Sequence, residues 1–100
     1  MSVTTEFSAD GQELTIKVEG RLDYSIHQEF RDAYEWTSPV RRYVVDLQAV
    51  PYLDSSALGM LLLMRDAAGG ERADIRLVKC TPDVIKILTI SNFSKLFRIG

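Results

Sequence analysis

Cysteine and histidine are nearly absent from this chain. Its 100 residues include one cysteine, Cys80, and one histidine, His27. A single cysteine cannot form an internal disulfide and is typical of a reducing compartment. One imidazole and one thiol also cannot supply the usual nitrogen and sulfur ligand sets of zinc. We therefore expect no metal, no cofactor and a cytoplasmic location, with Cys80 as a small core residue.

The signatures of several function classes are missing as well. The sequence has no GxGxxG and no GxxxxGK[ST] loop for a nucleotide. Its longest apolar stretch, Ala57 to Met64, is far shorter than the ~20 residues that cross a bilayer, and no secretory signal is visible. Twelve basic and fourteen acidic side chains give a net charge of −2, which disfavours binding to a phosphate backbone. We expect no membrane and no nucleic acid partner.

The composition that remains is that of a globular protein. Its 46% apolar and 26% charged residues are the proportions of a folded domain rather than of a disordered or fibrous chain. A length of 100 residues is close to the commonest size of a single domain. We expect residues 1–100 to form one domain with one hydrophobic core.

Hydrophobic periodicity predicts an opening hairpin followed by a helix. Apolar and polar side chains alternate from Val3 to Phe7 and again from Glu13 to Glu19, which is the period of a half-buried strand. Ser25 and Gln28 have the spacing of a capping box. Apolar residues then recur at helical spacing, and they predict an amphipathic helix over about Ile26 to Trp36.

The remainder of the chain alternates strands with helices. Tyr43 to Leu47 is a nearly continuous apolar run, typical of a central strand that is buried on both faces. Ala57 to Asp66 is an apolar helix that Gly69-Gly70 stops. The later elements are a strand from Ile75 to Val78, a third helix opened by Thr81 and Pro82, and a short last strand within Leu96 to Ile99.

The order β-β-α-β-α-β-α-(β) predicts an α/β fold with one mixed sheet. Its crossover helices make neighbouring strands parallel after the opening hairpin. The loops that follow parallel strands all leave the sheet at one edge, which we call the carboxyl edge. The strands concerned end near Glu19, Leu47 and Val78. Open α/β sheets place their sites at this edge. The residues expected to be neighbours there are Asp23, Asp54, Ser55 and Thr81.

The segment Tyr52-Leu53-Asp54-Ser55-Ser56-Ala57-Leu58-Gly59 sets two hydroxyls beside a carboxylate at the start of the second helix. Taken by itself, this segment predicts a helix cap, because Asp and Ser are preferred capping residues. The start of a helix is also a place where anions bind. The pattern alone does not choose between a cap and a functional site.

Several short segments together carry a family resemblance. They are Gly20-Arg21-Leu22-Asp23, Val44-Val45-Asp46-Leu47, Leu53-Asp54-Ser55-Ser56-Ala57-Leu58-Gly59, Gly69-Gly70, and Pro82-Asp83-Val84 with Phe93 and Leu96-Phe97. With them, nearly the whole chain resembles the STAS-domain anti-sigma factor antagonists, bacterial proteins that regulate transcription by switching partners. One departure is Ala57, which stands where many members of the family have glycine.

The resemblance implies a single STAS domain that acts in signalling. In that family a serine or threonine directly after the Asp is phosphorylated by a partner serine kinase, which is often itself the anti-sigma factor. The matching residue is Ser55, and Asp23 matches an acidic position close to it. The resemblance implies that the unmodified chain binds the anti-sigma factor or kinase, that phosphorylation prevents binding, and that a phosphatase restores it.

The second helix is apolar almost all round, a pattern typical of burial on several sides. Core packing accounts for Leu58, Leu61 and Leu62. It accounts less well for Met60, Leu63 and Met64, and methionine adapts readily to contact surfaces. The expected partner-binding residues are Asp23, Asp54, Ser55, Ser56, Met60, Leu63 and Met64.

Catalysis and small-molecule sensing are the alternatives to partner switching. A serine hydrolase needs a base, but the imidazole of His27 lies in the first turn of the first helix, and no GxSxG elbow surrounds Ser55. We therefore expect no enzyme activity. A STAS module that senses an anion or small molecule would hold its ligand with helix amides and Ser55 at the same carboxyl edge. This second interpretation stays open.

Overall fold

The described part of the computed structural model comprises residues 2–35 and 40–100. Trp36, the predicted end of the first helix, lies outside these residues. The predicted order of strands and helices is confirmed, including the last strand. The elements are β1 (Ser2–Phe7), β2 (Glu13–Glu19), α1 (His27–Glu35), β3 (Arg42–Ala49), α2 (Ser55–Ala67), β4 (Ile75–Val78), α3 (Pro82–Ile90) and β5 (Arg98–Ile99), with short 3₁₀ turns at Tyr24–Ile26, Gly70–Arg72 and Phe93–Lys95.

The described strands form one five-stranded sheet in the order β1-β2-β3-β4-β5. β1 runs antiparallel to β2, and each later pair is parallel, as predicted. Each right-handed crossover moves one strand further in the same direction, so α1, α2 and α3 cover the same face of the sheet. The sheet therefore has an inner face beneath the helices and an outer face that no described helix covers.

The hydrophobic core lies between the inner face and the helices. Leu14 of β2, Val45 of β3 and Leu77 of β4 are fully buried there. The prediction that β3 is buried on both faces is wrong, because Val44 is half-buried and Gln48 is exposed on its outer side. A run of apolar residues shows that a strand is central, but it does not show that every crossover helix lies on one side.

Asp46 is buried although it lies on the outer face of β3. The residue as a whole is only 4% exposed. One carboxylate oxygen accepts the Gln48 N–H at 3.0 Å, and the other lies 3.7 Å from Nζ of Lys79. A backbone donor and a lysine therefore compensate the burial of this charge.

The start of the first helix differs from the predicted capping box of Ser25 and Gln28. The helical path begins earlier, with the 3₁₀ turn Tyr24–Ile26, and its cap is Asp23. The Asp23 carboxylate accepts the Ser25 N–H at 2.9 Å. The capping box is therefore wrong, because Ser25 lies inside the first turn rather than before it.

α2 buries a single stripe along one side of the helix. The prediction that Met60 and Met64 belong to an exposed partner face is wrong, because they are 4% and 0% exposed. Leu63 is 55% exposed, and Leu62, which the sequence assigns to the core, is 39% exposed. Nearly uniform apolar composition does not reveal which side of a helix faces inward. The buried stripe is Ala57, Met60, Leu61 and Met64, at spacings i, i+3, i+4 and i+7.

Alanine substitution at two leucines tests this orientation of α2. Leu61→Ala should lower the free energy of unfolding by about 2–5 kcal/mol, because it opens a cavity in the core. Leu63→Ala makes the same chemical change on the exposed side and should alter stability by less than about 1 kcal/mol. Urea denaturation followed by circular dichroism measures both. Equal losses for the two variants would contradict the orientation.

Candidate functional site

The carboxyl edge is built by the loops that follow β2 and β3. Beyond both strands, Leu22 and Leu53 form an isolated parallel bridge, and both side chains are buried. The residues directly after this bridged pair are Asp23 and Asp54. The structure therefore confirms that the two loops leave the sheet together and brings their carboxylates to the same edge.

Asp54 is the cap of α2. Its Oδ1 accepts the Ala57 N–H at 2.9 Å and the hydroxyl of Ser56 at 2.6 Å. These two hydrogen bonds, the hydroxyl's first, hold the pKa of the Asp54 carboxyl below its usual value. Asp54 is therefore ionised at neutral pH and places a negative charge at the helix N-terminus, where it is favoured.

Ser55 and Ser56 have different surroundings despite being adjacent. Ser56 is half-buried, and its hydroxyl donates to Asp54. Ser55 is the first residue of α2 and is exposed. Within residues 2–35 and 40–100, its hydroxyl is in no hydrogen bond. Of the two serines, Ser55 is therefore the one whose hydroxyl is accessible and takes no part in the cap.

Asp23 repeats this arrangement on the neighbouring loop. The same oxygen that accepts the Ser25 N–H also accepts the Ser25 hydroxyl. Asp23 is half-buried and Ser25 is exposed. Two carboxylates, each capping the start of a helical segment, thus lie at the same edge.

Exposed aromatic side chains flank these carboxylates, and the sequence analysis did not select them. Tyr24 is 73% exposed and stacks on His27, with ring centroids 5.1 Å apart and planes 7° apart. Tyr52 is 43% exposed, and the guanidinium carbon of Arg21 lies 5.8 Å from its ring centroid. Their signal in the sequence was their position, since each tyrosine lies within two residues of a capping Asp. Tyr and Arg are, together with Trp, the residues enriched at the energetic centres of protein interfaces.

Thr81 and Cys80 follow β4 and serve the fold. Thr81 lies at the carboxyl edge, as predicted, but its hydroxyl caps α3 by accepting the Val84 N–H at 3.3 Å. The Cys80 thiol is half-buried and lies 3.6 Å from the Leu77 carbonyl. Burial, and then the nearby Asp46 carboxylate, raise the pKa of this thiol, so it stays protonated at neutral pH.

The described ranges, 2–35 and 40–100, hold no group of three or more His, Cys, Asp or Glu side chains placed to bind a metal ion. None of their helices has the length and apolar character that a membrane span requires.

Comparison with known proteins places this geometry in a family. The family model described as "Mlab, STAS domain" matches residues 5–98. The chain belongs to the STAS-domain family. A STAS-domain containing protein of Pseudomonas aeruginosa (strain UCBPP-PA14) is 63% identical over the full length of both chains.

Solved STAS structures share the fold. The STAS domain of an antisigma-factor antagonist from Rhodobacter sphaeroides is 28% identical, with a TM-score of 0.65 over 83% of this chain and 94% of that one. The phosphorylated form of SpoIIAA, a Bacillus cell fate determinant, is 16% identical, with a TM-score of 0.68 over 99% of this chain and 91% of that one. The α/β fold predicted from the sequence is therefore confirmed as that of the anti-sigma factor antagonists.

Substitution of Asp54 tests its role as a cap. Asp54→Ala should lower the free energy of unfolding at pH 7 by about 0.5–2 kcal/mol, whereas Asp54→Asn, which can still cap, should retain most of the stability. Because the folded state lowers the pKa of Asp54, its ionised form stabilises the protein above the ordinary pKa. That contribution should disappear as the pH falls through the lowered value. Urea denaturation between pH 7 and pH 2 measures both effects.

The matched control for this cap is Asp66→Ala. Asp66 is an exposed carboxylate near the other end of α2, where a negative charge is unfavourable. Its removal should leave stability unchanged or slightly raised. Equal destabilisation by Asp54→Ala and Asp66→Ala would show that Asp54 is not the cap.

Proposed function

We propose that this STAS protein is an anti-sigma factor antagonist controlled by phosphorylation of Ser55. The unmodified protein binds an anti-sigma factor that is itself, or acts with, a serine kinase. Phosphorylation of Ser55 releases that partner, and a phosphatase resets the switch. The proposal places the protein in the bacterial cytoplasm, where sigma factors and ATP-dependent kinases work, and gives it no catalytic activity of its own.

The observation that carries the proposal is the contrast between Ser55 and Ser56. Ser55 is exposed at the first position of α2 with its hydroxyl outside any described hydrogen bond, while the hydroxyl of Ser56 is held by Asp54. The family resemblance supports Ser55 as the modified residue, and SpoIIAA, which shares the fold, has a solved structure in a phosphorylated form.

Charge accounts for the direction of the switch. A phosphoserine carries about −1.5 to −2 charges at neutral pH. At an effective dielectric constant of 20, each unit charge ~6 Å from a like charge costs roughly 2.8 kcal/mol, which solvent reduces at an exposed edge. The favourable interaction of the phosphate with the N-terminus of α2 offsets about 0.3–1 kcal/mol of this cost. A partner that covers this edge removes the screening water, so the repulsion from Asp54 and Asp23 grows on binding.

The contact surface of the proposed partner extends from the carboxyl edge onto α2. Asp23, Asp54, Ser55 and Ser56 form its polar part. Its apolar part is the exposed Tyr24, Tyr52 and Leu63. Tyrosine is enriched among the residues that dominate interface energies, and Leu63 extends the apolar area onto α2. Met60 and Met64 support this surface from the core.

Stoichiometric phosphorylation of Ser55 should weaken partner binding ~100-fold, or about 2.7 kcal/mol. The partner is first identified by affinity purification from the native host, and intact-mass analysis detects the +80 Da form. Isothermal titration calorimetry then compares both forms. Ser55→Ala should bind like the unmodified protein and escape phosphorylation. Ser55→Glu should weaken binding only partly, because it carries about half the charge.

Ser56→Ala is the matched control for that experiment. This variant should still be phosphorylated on Ser55, and its phosphorylated form should still release the partner. It loses only the hydrogen bond that the Ser56 hydroxyl donates to the cap. Equal affinities of the two forms, or phosphate found on Ser56 instead of Ser55, would refute the proposal. Stabilisation of the pure protein by inorganic phosphate or a small molecule, with no protein partner recovered, would favour the sensing alternative.

Alanine substitution of an exposed apolar residue should separate binding from stability. Tyr52→Ala and Leu63→Ala should each weaken partner binding by about 1–2 kcal/mol while the midpoint of urea denaturation changes little. Ile90→Ala is the control, because Ile90 is 72% exposed but lies at the end of α3. Loss of binding in the Ile90→Ala variant alone would place the interface elsewhere.

A further inference from the structure

The strand β1 presents an edge without the usual protection against pairing. It is the outermost strand, and its register with β2 runs without a shift from Ser2 to Phe7. Natural edge strands are commonly blunted by proline, lysine or a β-bulge. The sequence of β1 contains no proline and no lysine, and Glu6 is its single charged residue.

The hydrogen-bonding pattern shows which backbone groups face this free edge. The Ser8 N–H donates to the Glu13 carbonyl at 2.9 Å, in line with the register of β1 and β2. In an antiparallel pair, hydrogen-bonded positions alternate, so the even-numbered residues of β1 bond to β2. The N–H and C=O groups of Val3, Thr5 and Phe7 therefore point outward.

The side chains of these same residues lie on the inner face of the sheet. Thr5 and Phe7 stand opposite Ile16 and Leu14, which are fully buried, yet Thr5 is exposed and Phe7 is 48% exposed. The helices thus cover this edge only in part and leave about half of the Phe7 side chain exposed. A strand added at this edge would cover it.

We propose that β1 pairs antiparallel with β1 of a second copy of this chain, about a twofold axis through Thr5. The two sheets then join into one. Thr5 faces Thr5 of the copy, and Val3 faces Phe7 in both directions. Each of these is a hydrogen-bonded pair that exchanges two backbone bonds, and all of them use the outward groups.

Charge and side-chain matching select this register over its neighbours. An axis through Glu6 also satisfies the alternation, but it sets two carboxylates opposite each other, which is unfavourable. An axis through Thr4 leaves Phe7 opposite a position before the start of β1. The axis through Thr5 pairs Phe7 with the apolar Val3 and Glu6 with the neutral Thr4. A second copy is therefore the occupant that this strand fits.

Disulfide trapping tests the register directly. In a Cys80→Ser background, Thr5→Cys should form a covalent dimer under a glutathione redox buffer, because Cα atoms of a hydrogen-bonded pair lie about 5.5 Å apart, within the range of a disulfide. Thr4→Cys is the matched control. It faces the outer side opposite Glu6 of the copy, so it should form no covalent dimer. Cross-linking of Thr4→Cys instead of Thr5→Cys would refute the register.

Sedimentation analysis tests whether the pairing occurs in the unmodified chain. The wild-type protein should show a concentration-dependent dimer, and Thr5→Pro should raise its dissociation constant by about tenfold or more. The Thr5 N–H is outside the ladder with β2, so an edge proline there removes no intramolecular bond. Thr5→Lys, which sets two ammonium groups at the axis, should act likewise, whereas Thr5→Val should keep the dimer.

Two results would overturn this proposal. One is a wild-type protein that stays monomeric up to about millimolar concentration, which would leave the edge to a strand of another protein. The other is a dimer that is unchanged by both Thr5→Pro and Thr5→Lys. Neither result depends on Ser55, so the pairing of β1 stands or falls separately from the phosphorylation switch.

Discussion

The parallel pairing of β2 with β3 is the constraint on which the candidate site depends. The bridge between Leu22 and Leu53 carries that pairing past the ends of both strands and buries both leucines. The chain must leave the sheet at the next residue on each strand, and there it meets Asp23 and Asp54, which start helical segments. The two capping carboxylates lie at the same edge because the leucines that precede them are paired in this bridge.

The same constraint explains which parts of the fold the sequence predicts. Strands and helices follow from local periodicity, which is visible in any short window of residues. The cap of the first helix does not follow from local periodicity, because Asp23 and Ser25 both have the chemistry of a cap. The choice falls on Asp23 because Leu22 is held by its bridge. The inward side of α2 is likewise decided by packing, as Met64 and Leu62 show.

Prediction of the site was limited in a similar way. Asp54 and Ser55 were found because their chemistry is local and the segment resembles a family. Tyr24 and Tyr52 were missed, because the exposure of an aromatic residue in a loop depends on which side of that loop faces the sheet. Only the assembled edge shows that they surround the carboxylates.

The division of roles at the start of α2 determines what kind of switch the site can be. Asp54 and Ser56 hold the first turn of the helix, while Ser55 is bonded to neither. A charge added to Ser55 therefore leaves the cap intact, and the helix N-terminus partly offsets its cost. The fold should change little between the two states. The proposed switch therefore needs no conformational change, and what it would present to a partner is the surface charge and shape of this one edge.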